Sequence, residues 1–277
     1  MEHKSNRKRR QRRLMMVAIV TVLLLVPALP AFAISYGEPD GSAHPFVGSM
    51  VLRVDGQLFQ VCSGTLIASN VYLTASHCTI FLDDFLADNP GAELLVTFGP
   101  VINDSATFYT GVWHTNPSFL AGNGASDTGD IAVIVLDQPP GITPARLPTA
   151  ELLYQLKASH VLKNTHFTAV GYGTIRETKT KGPKSILDNL ERRRVDQSFL
   201  SLTDAWLTLS MNFSTGNGGG CYGDSGGPHF IHLNGLETDI VASITVTGDA
   251  NCVATDKTYP TDTPVAREFL SQYVTLP

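Results

Sequence analysis

Apolar residues recur along most of the chain in short runs, not at helical spacing. VGSMVLRV (47–54), LFQVCSGTLI (58–67), VYLTAS (71–76), LLVTFG (94–99), IAVIVL (131–136), HFTAVGYG (166–173) and IVASITVT (240–247) are mostly rich in β-branched side chains. Several alternate in polarity, and Gly, Pro, Asn or Asp punctuate them, as in half-buried strands. Many short strands at modest spacing predict an all-β protein, either barrel or sandwich. Two segments depart from this pattern. PARLPTAELLYQLKAS (144–159) predicts a link between two halves with a helical turn or short helix. In TPVAREFLSQYVTLP (263–277), Val265, Phe269, Leu270 and Val274 are spaced as on one face of a terminal helix.

The first 33 residues differ in kind. MEHKSNRKRRQRR is basic, residues 14–30 are apolar, and Ala31-Phe32-Ala33 supplies small residues at a cleavage position. This is the pattern of a secretory signal peptide cut after Ala33. The rival is an uncleaved anchor, but 17 residues are at the lower limit for a span, and Pro27 and Pro30 favour cleavage. Residues 34–277 are then the mature, secreted domain, with no later stretch apolar enough to cross a bilayer. Removing residues 1–33 takes the net charge from −5 to −11. A surface that acidic argues against nucleic acid as a partner. The basic clusters at 176–184 and 192–194 then read as solvated loop or strand-end residues.

Four cysteines remain: Cys62, Cys78, Cys221 and Cys252. Export favours disulfides. Of the three pairings, Cys62–Cys78 with Cys221–Cys252 is the most economical. A zinc site is the alternative, but the spacing matches no common zinc pattern. The other histidines (44, 114, 160, 166, 229 and 232) show no paired ligand spacing. Neither metal nor cofactor is expected.

The candidate chemistry lies in GGGCYGDSGGP (218–228), where one serine sits among glycines. A serine needs a base to become a nucleophile, and the base needs an orienting acid. His77 follows the strand VYLTAS beside Cys78, and Asp130 stands at the mouth of the apolar strand IAVIVL. Each alone reads as a strand cap or turn residue.

Together, SGTLI, LTASHC, GDIAVIVL, GYG and GDSGGP, in this order, resemble the trypsin/chymotrypsin-like serine proteases over nearly all of residues 34–277. That resemblance implies two antiparallel six-stranded β-barrels, about 34–145 and 146–277, with the active site in the cleft between them and a C-terminal helix. It implies a secreted, monomeric endopeptidase working through an acyl-enzyme, with Ser225 as nucleophile, His77 as base and Asp130 as orienter. The amides of Gly223 and Ser225 would form the oxyanion hole. Ile34, freed by cleavage, would pair its α-amino group with Asp224. Gly219 would stand at the base of the primary pocket and Ser243-Ile244-Thr245 along its wall. The absence of an acid at Gly219 argues against cleavage restricted to Lys or Arg, and Thr245 would favour small or medium apolar residues. The long segment between Ser243 and Cys252 lets that match slip; Asp256 or Lys257 would then be further pocket candidates, a lysine there favouring an acidic substrate residue, but each reads first as a solvated loop charge. Protein or peptide substrates are the expected partners, a protein inhibitor a second class. A catalytically silent binder on the same fold and an esterase using the same triad are the alternatives. Ser63 and Ser76 depart from the family pattern, where glycine and alanine are usual.

Overall fold

The computed structural model describes residues 34, 36–120, 126–176 and 186–277. The expected signal peptide and most of the 176–184 basic cluster lie outside the described residues. Sixteen strands are described. They are β1 (Glu38–Pro39), β2 (Val47–Val54), β3 (Gln57–Leu66), β4 (Val71–Thr74), β5 (Glu93–Thr97), β6 (Phe108–Tyr109), β7 (Gly111–Thr115), β8 (Ala132–Leu136), β9 (His166–Gly171), β10 (Ile175–Arg176), β11 (Ile186–Leu187), β12 (Arg193–Leu202), β13 (Leu207–Ser210), β14 (Pro228–Leu233), β15 (Leu236–Gly248) and β16 (Thr255–Pro260). Four short α-helices accompany them: α1 (Leu82–Asp88), α2 (Pro117–Leu120), α3 (Leu152–Ala158) and α4 (Pro264–Leu270).

Fourteen of these strands form two barrel-like antiparallel sheets, and β10 and β11 pair separately. The first runs β6-β5-β2-β3-β4-β8-β7. Its end strands β6 and β7 are separated only by Thr110, so one bent strand closes a ring of six. The second runs β1-β12-β13-β16-β15-β14-β9, and a β12–β9 pairing closes six of its seven strands. Closure removes the sheet edges that would otherwise stay unpaired. The seventh, β1, pairs with β12 with Glu38 opposite Arg194, so the start of the described chain belongs to the second sheet. β2 to β8 all lie in the first sheet, and β9 and β12 to β16 in the second.

Local sequence explains the elements. The central strands bury their apolar side chains, as in IAVIVL, where Ile131, Ala132, Val133, Ile134 and Leu136 are all in the core. Gly48 and Gly64 make room for one core side chain. A Cβ on Gly64 would collide with the Tyr72 ring and the Leu73 carbonyl, and the Tyr72 hydroxyl donates to the Gly48 carbonyl at 2.9 Å. Helix α4 starts where Thr263 accepts from the Ala266 amide at 3.2 Å with Pro264 at its first position.

The basic cluster 192–194 is a correction to the sequence reading. Arg192 is only 1% exposed and Arg193 is also buried. The Arg192 guanidinium donates to Asp40 Oδ2 (2.7 Å) and to the carbonyls of Gly41 (2.8 Å), Val47 (3.1 Å) and Phe98 (3.0 Å). It therefore ties the N-terminal segment to both sheets. Asp40 also binds His44 Nδ1 at 2.5 Å, and His44 Nε2 reaches Glu237 Oε1 at 2.5 Å.

Both ring nitrogens of His44 thus face carboxylates, which requires the imidazolium. Burial pushes His44 down, but the hydrogen bonds and charges of Asp40 and Glu237 outweigh it and raise its pKa. A raised histidine pKa stabilises the fold fully below the unfolded value, near 6.5, and that contribution is lost as pH rises through the folded value. The urea midpoint is therefore expected to fall on going from pH 6 to pH 9, and to fall less in His44→Gln. An equal fall in both proteins would remove His44 as the cause.

Candidate active site

Neighbouring strands bring the first pair together. β4 pairs with β8, with Thr74 opposite Ala132. His77 sits in the 3-10 turn Ser76–Cys78 just after β4, and Asp130 lies two residues before β8. His77 donates its backbone N–H to Asp130 Oδ1 at 2.9 Å, and its Nδ1 lies 2.8 Å from Asp130 Oδ2. Both carboxylate oxygens are engaged, so the ring is held in one orientation with Nε2 turned away from the acid. Ser76 braces the turn: its hydroxyl donates to the Ile131 carbonyl at 2.8 Å and accepts from the Asn116 amide at 3.2 Å. Hydroxyl and backbone are thus satisfied where the family pattern has alanine.

The second barrel brings Ser225 to the same place. The Ser63 amide donates to the Ser225 carbonyl at 2.8 Å, and Cys78 Sγ lies 3.8 Å from that oxygen. Ser225, Gly223 and His77 line one cavity of about 710 Å³, whose walls also include Leu58, Phe59, Phe81 and Leu190. Cys62–Cys78 is a disulfide that fastens the histidine turn to β3, and Cys221–Cys252 is the second.

Gly223 needs its glycine. Its φ is +92°, and a Cβ would strike Gln60. Its carbonyl is held by Gln60 Nε2 (2.8 Å) and Ser63 Oγ (3.0 Å). That gives Ser63 a task a glycine could not perform. The Asp224 and Gly226 amides donate to Cys221 O and Thr245 O. Among the described residues no protein acceptor is found for the Gly223 and Ser225 amides between them.

Asp224 is fully buried. Its carboxylate accepts from the amides of Gly173 and Cys221, each at 2.8 Å. A side chain at Gly171 or Gly173 would collide with it, which accounts for both glycines of the GYG segment. Burial, against those two bonds, pushes its pKa up to about 7. Ile34 is buried too, but no ion pair between it and Asp224 is present among the described residues.

The substrate-pocket residues divide. A second cavity beside Ser225, about 290 Å³, is lined by Gly220, Thr245, Asp249 and Asp256 among others. Gly219 and Ser243 do not line it. A Cβ on Gly219 would meet Gln197 and Met211 instead, and Ser243 Oγ accepts from Thr258 Oγ1 at 2.8 Å in the core. Asp256, 1% exposed, accepts from the Gly220 amide (3.0 Å) and Gln197 Nε2 (3.1 Å). Lys257 points the other way, its Nζ 5.8 Å from the Trp206 ring centre. The two-residue period of β16 sends these neighbours to opposite faces; with β16 recognised as a strand, that period is the signal for Asp256. Gln60 carried no comparable signal.

The family model described as Trypsin matches residues 36–270. Human chymotrypsin-like elastase family member 1 is 26% identical over 224 residues, 76% of this chain and 80% of the relative. A trypsin from Saccharopolyspora erythraea is 27% identical over 200 residues, 68% of this chain and 77% of the relative. Among solved structures, HL collagenase aligns at a TM-score of 0.60 and 18% identity, over 86% of this chain and 97% of that one, and so shares the fold. By the span of that family match, this chain belongs to the trypsin family.

Proposed function

We propose that the chain is a secreted serine endopeptidase acting through an acyl-enzyme. The observation that carries this reading is that His77, its Nδ1 2.8 Å from Asp130, lines the same cavity as Ser225. Ser225 Oγ attacks the scissile carbonyl while His77 Nε2 takes its proton. Asp130 stabilises the imidazolium and keeps Nδ1 protonated beforehand. The Gly223 and Ser225 amides receive the oxyanion, and His77 then protonates the leaving amine. Water repeats the sequence on the acyl-enzyme. A fluorophosphonate is expected to add once, at Ser225, alongside hydrolysis of a casein substrate. Neither adduct nor turnover would point to the silent binder, and adduct with ester but no peptide cleavage to the esterase.

Domain organisation and localisation follow from the same reading: residues 1–33 act as the signal peptide and 34–277 as the protease. Among the described residues no helix is long and apolar enough to cross a membrane. Cleavage after Ala33 would turn the Ile34 nitrogen into an ammonium for Asp224, a buried acid held so far by two amides. One or two residues added before Ile34 in refolded protein are expected to abolish most activity. Retained activity would refute the pairing.

Gly219 brings no charge to the primary pocket, yet Asp256 and Asp249 do, and among the described residues no Lys or Arg lines it. We read a site not restricted to Lys and Arg that accepts a cationic side chain beside small apolar ones. Peptide-library profiling of Asp256→Asn is expected to cut kcat/KM for Lys and Arg at least tenfold relative to Ala and Leu, the scale of a lost charged contact. An unchanged profile would leave Asp256 a purely structural acid.

A further inference from the structure

Away from the cleft, four adjoining strands of the second barrel place one polar side chain each on a common face. Asp196 of β12 stands directly opposite Thr168 of β9, and His232 of β14 directly opposite Glu237 of β15. Opposite residues of an antiparallel pair share a face and approach closely. His232 Nε2 lies 3.9 Å from Asp196 Oδ1 and 4.0 Å from Glu237 Oε2. One donor atom from each of the three lies within 4.8 Å of the others. All three residues line a cavity of about 390 Å³.

The hydrogen bonds of this group do not close on themselves. The Thr168 hydroxyl sits 2.8 Å from His232 Nε2, 2.8 Å from Glu237 Oε2 and 3.1 Å from Asp196 Oδ1. It has one proton and cannot serve two carboxylate oxygens at once. Arg194, the one Arg or Lys lining the cavity among the described residues, is already paired with Glu38 at 2.8 Å. Glu237 is held from behind: His44 Nε2 binds its other oxygen at 2.5 Å, and Asp40 fixes His44. A carboxylate oriented by a buried histidine through one oxygen leaves the second to point into the cluster. Such backing is how ligand carboxylates are commonly set.

We propose that Asp196, His232 and Glu237 bind a divalent transition-metal cation, zinc fitting best. One imidazole nitrogen with two carboxylate oxygens is a zinc-type donor set, whereas calcium takes oxygen alone. The Thr168 hydroxyl or a water completes four ligands. Ligands about 2.1 Å from a tetrahedral ion stand about 3.4 Å apart. The two His232 spacings must therefore close by roughly half an ångström, and those of the Thr168 hydroxyl, where it is the fourth ligand, must open by about as much; the Asp196 side chain, 60% exposed, has room to rotate. The bound ion would clamp four strands and, through Glu237, His44 and Asp40, the segment ahead of β2. None of these residues lines either cavity beside Ser225, so the site would act on stability and not on the chemistry.

The test is calorimetric titration of zinc chloride into untagged protein stripped with a chelator. Wild type is expected to bind one equivalent at micromolar or lower concentration. Both His232→Ala and the near-isosteric Asp196→Asn are expected to weaken that binding by at least about tenfold. Each metal-free variant should keep the wild-type circular dichroism and fluorophosphonate labelling, which separates lost ligation from lost folding. Zinc should raise the thermal midpoint of wild type and of neither variant. No binding by wild type at millimolar zinc, or undiminished binding in either variant, overturns the proposal.

Discussion

Alanine at Ser225 is expected to lower kcat on a peptide substrate by about 10⁶ while leaving the fold intact. Ser225 is held through its backbone, by the Ser63 amide on its carbonyl, so losing the hydroxyl removes the proposed nucleophile and no support. The residual rate should still exceed that in water by about 10³–10⁴, because the amides and binding cavities remain. Asp130→Asn should cost about 10⁴ for a different reason. The His77 amide donates to Asp130 Oδ1. An asparagine that keeps this bond must turn its NH₂ group toward Nδ1. Nδ1 then becomes an acceptor and Nε2 carries the proton, so the ring cannot accept one from Ser225. Combining the two changes should cost little more than Ser225→Ala alone, since they act as one unit. Turnover within tenfold of wild type for Ser225→Ala, measured on protein freed of contaminating protease, would remove this serine from the chemistry.

Replacing Arg192 by methionine is expected to destabilise the protein by about 3–5 kcal/mol, the cost of stripping one partner from a buried ion pair. Three carbonyls would each lose a donor together, and the Asp40 carboxylate would be left with His44 alone. Burial pushes the Asp40 acid up, and His44 and Arg192 together hold it below the usual carboxylate range. Without the guanidinium that balance shifts toward the protonated acid. Against a typical net stability of about 5–15 kcal/mol, the loss is about a fifth of the total or more. Removing both charges, Asp40→Leu with Arg192→Met, should recover part of it, because no ion is then left buried alone. Urea midpoints of the single and double variants decide this. A shift worth less than about 1 kcal/mol for Arg192→Met would show that the hub carries no weight.

Much of this was legible before any coordinates. Strand-forming runs are local signals: IAVIVL and VYLTAS carry their own burial pattern, and their pairing sets His77 beside Asp130. Residues whose role is to bend the backbone or make room are legible as well. Gly223 at φ +92° and the GYG glycines packed on Asp224 answer to short segments of the chain. The nearest-neighbour cysteine pairing was readable because short loops close most easily.

What the sequence by itself determined, then, is what depends on neighbours along the chain: the strands, the glycine-lined serine loop and the helix at the end. Tertiary structure alone decided which charges are buried and what they meet. Arg192 and its neighbour Arg194 look alike in sequence, yet one is sealed among three carbonyls and the other pairs with Glu38 in water. Asp256 became a pocket residue, and Gly219 ceased to be one, through the pairing of strands brought together from distant parts of the chain. The physical reason is the same in each case. Burial and ionic pairing are set by contacts between residues remote in the chain, as between Asp40 and Arg192, and no local pattern encodes them.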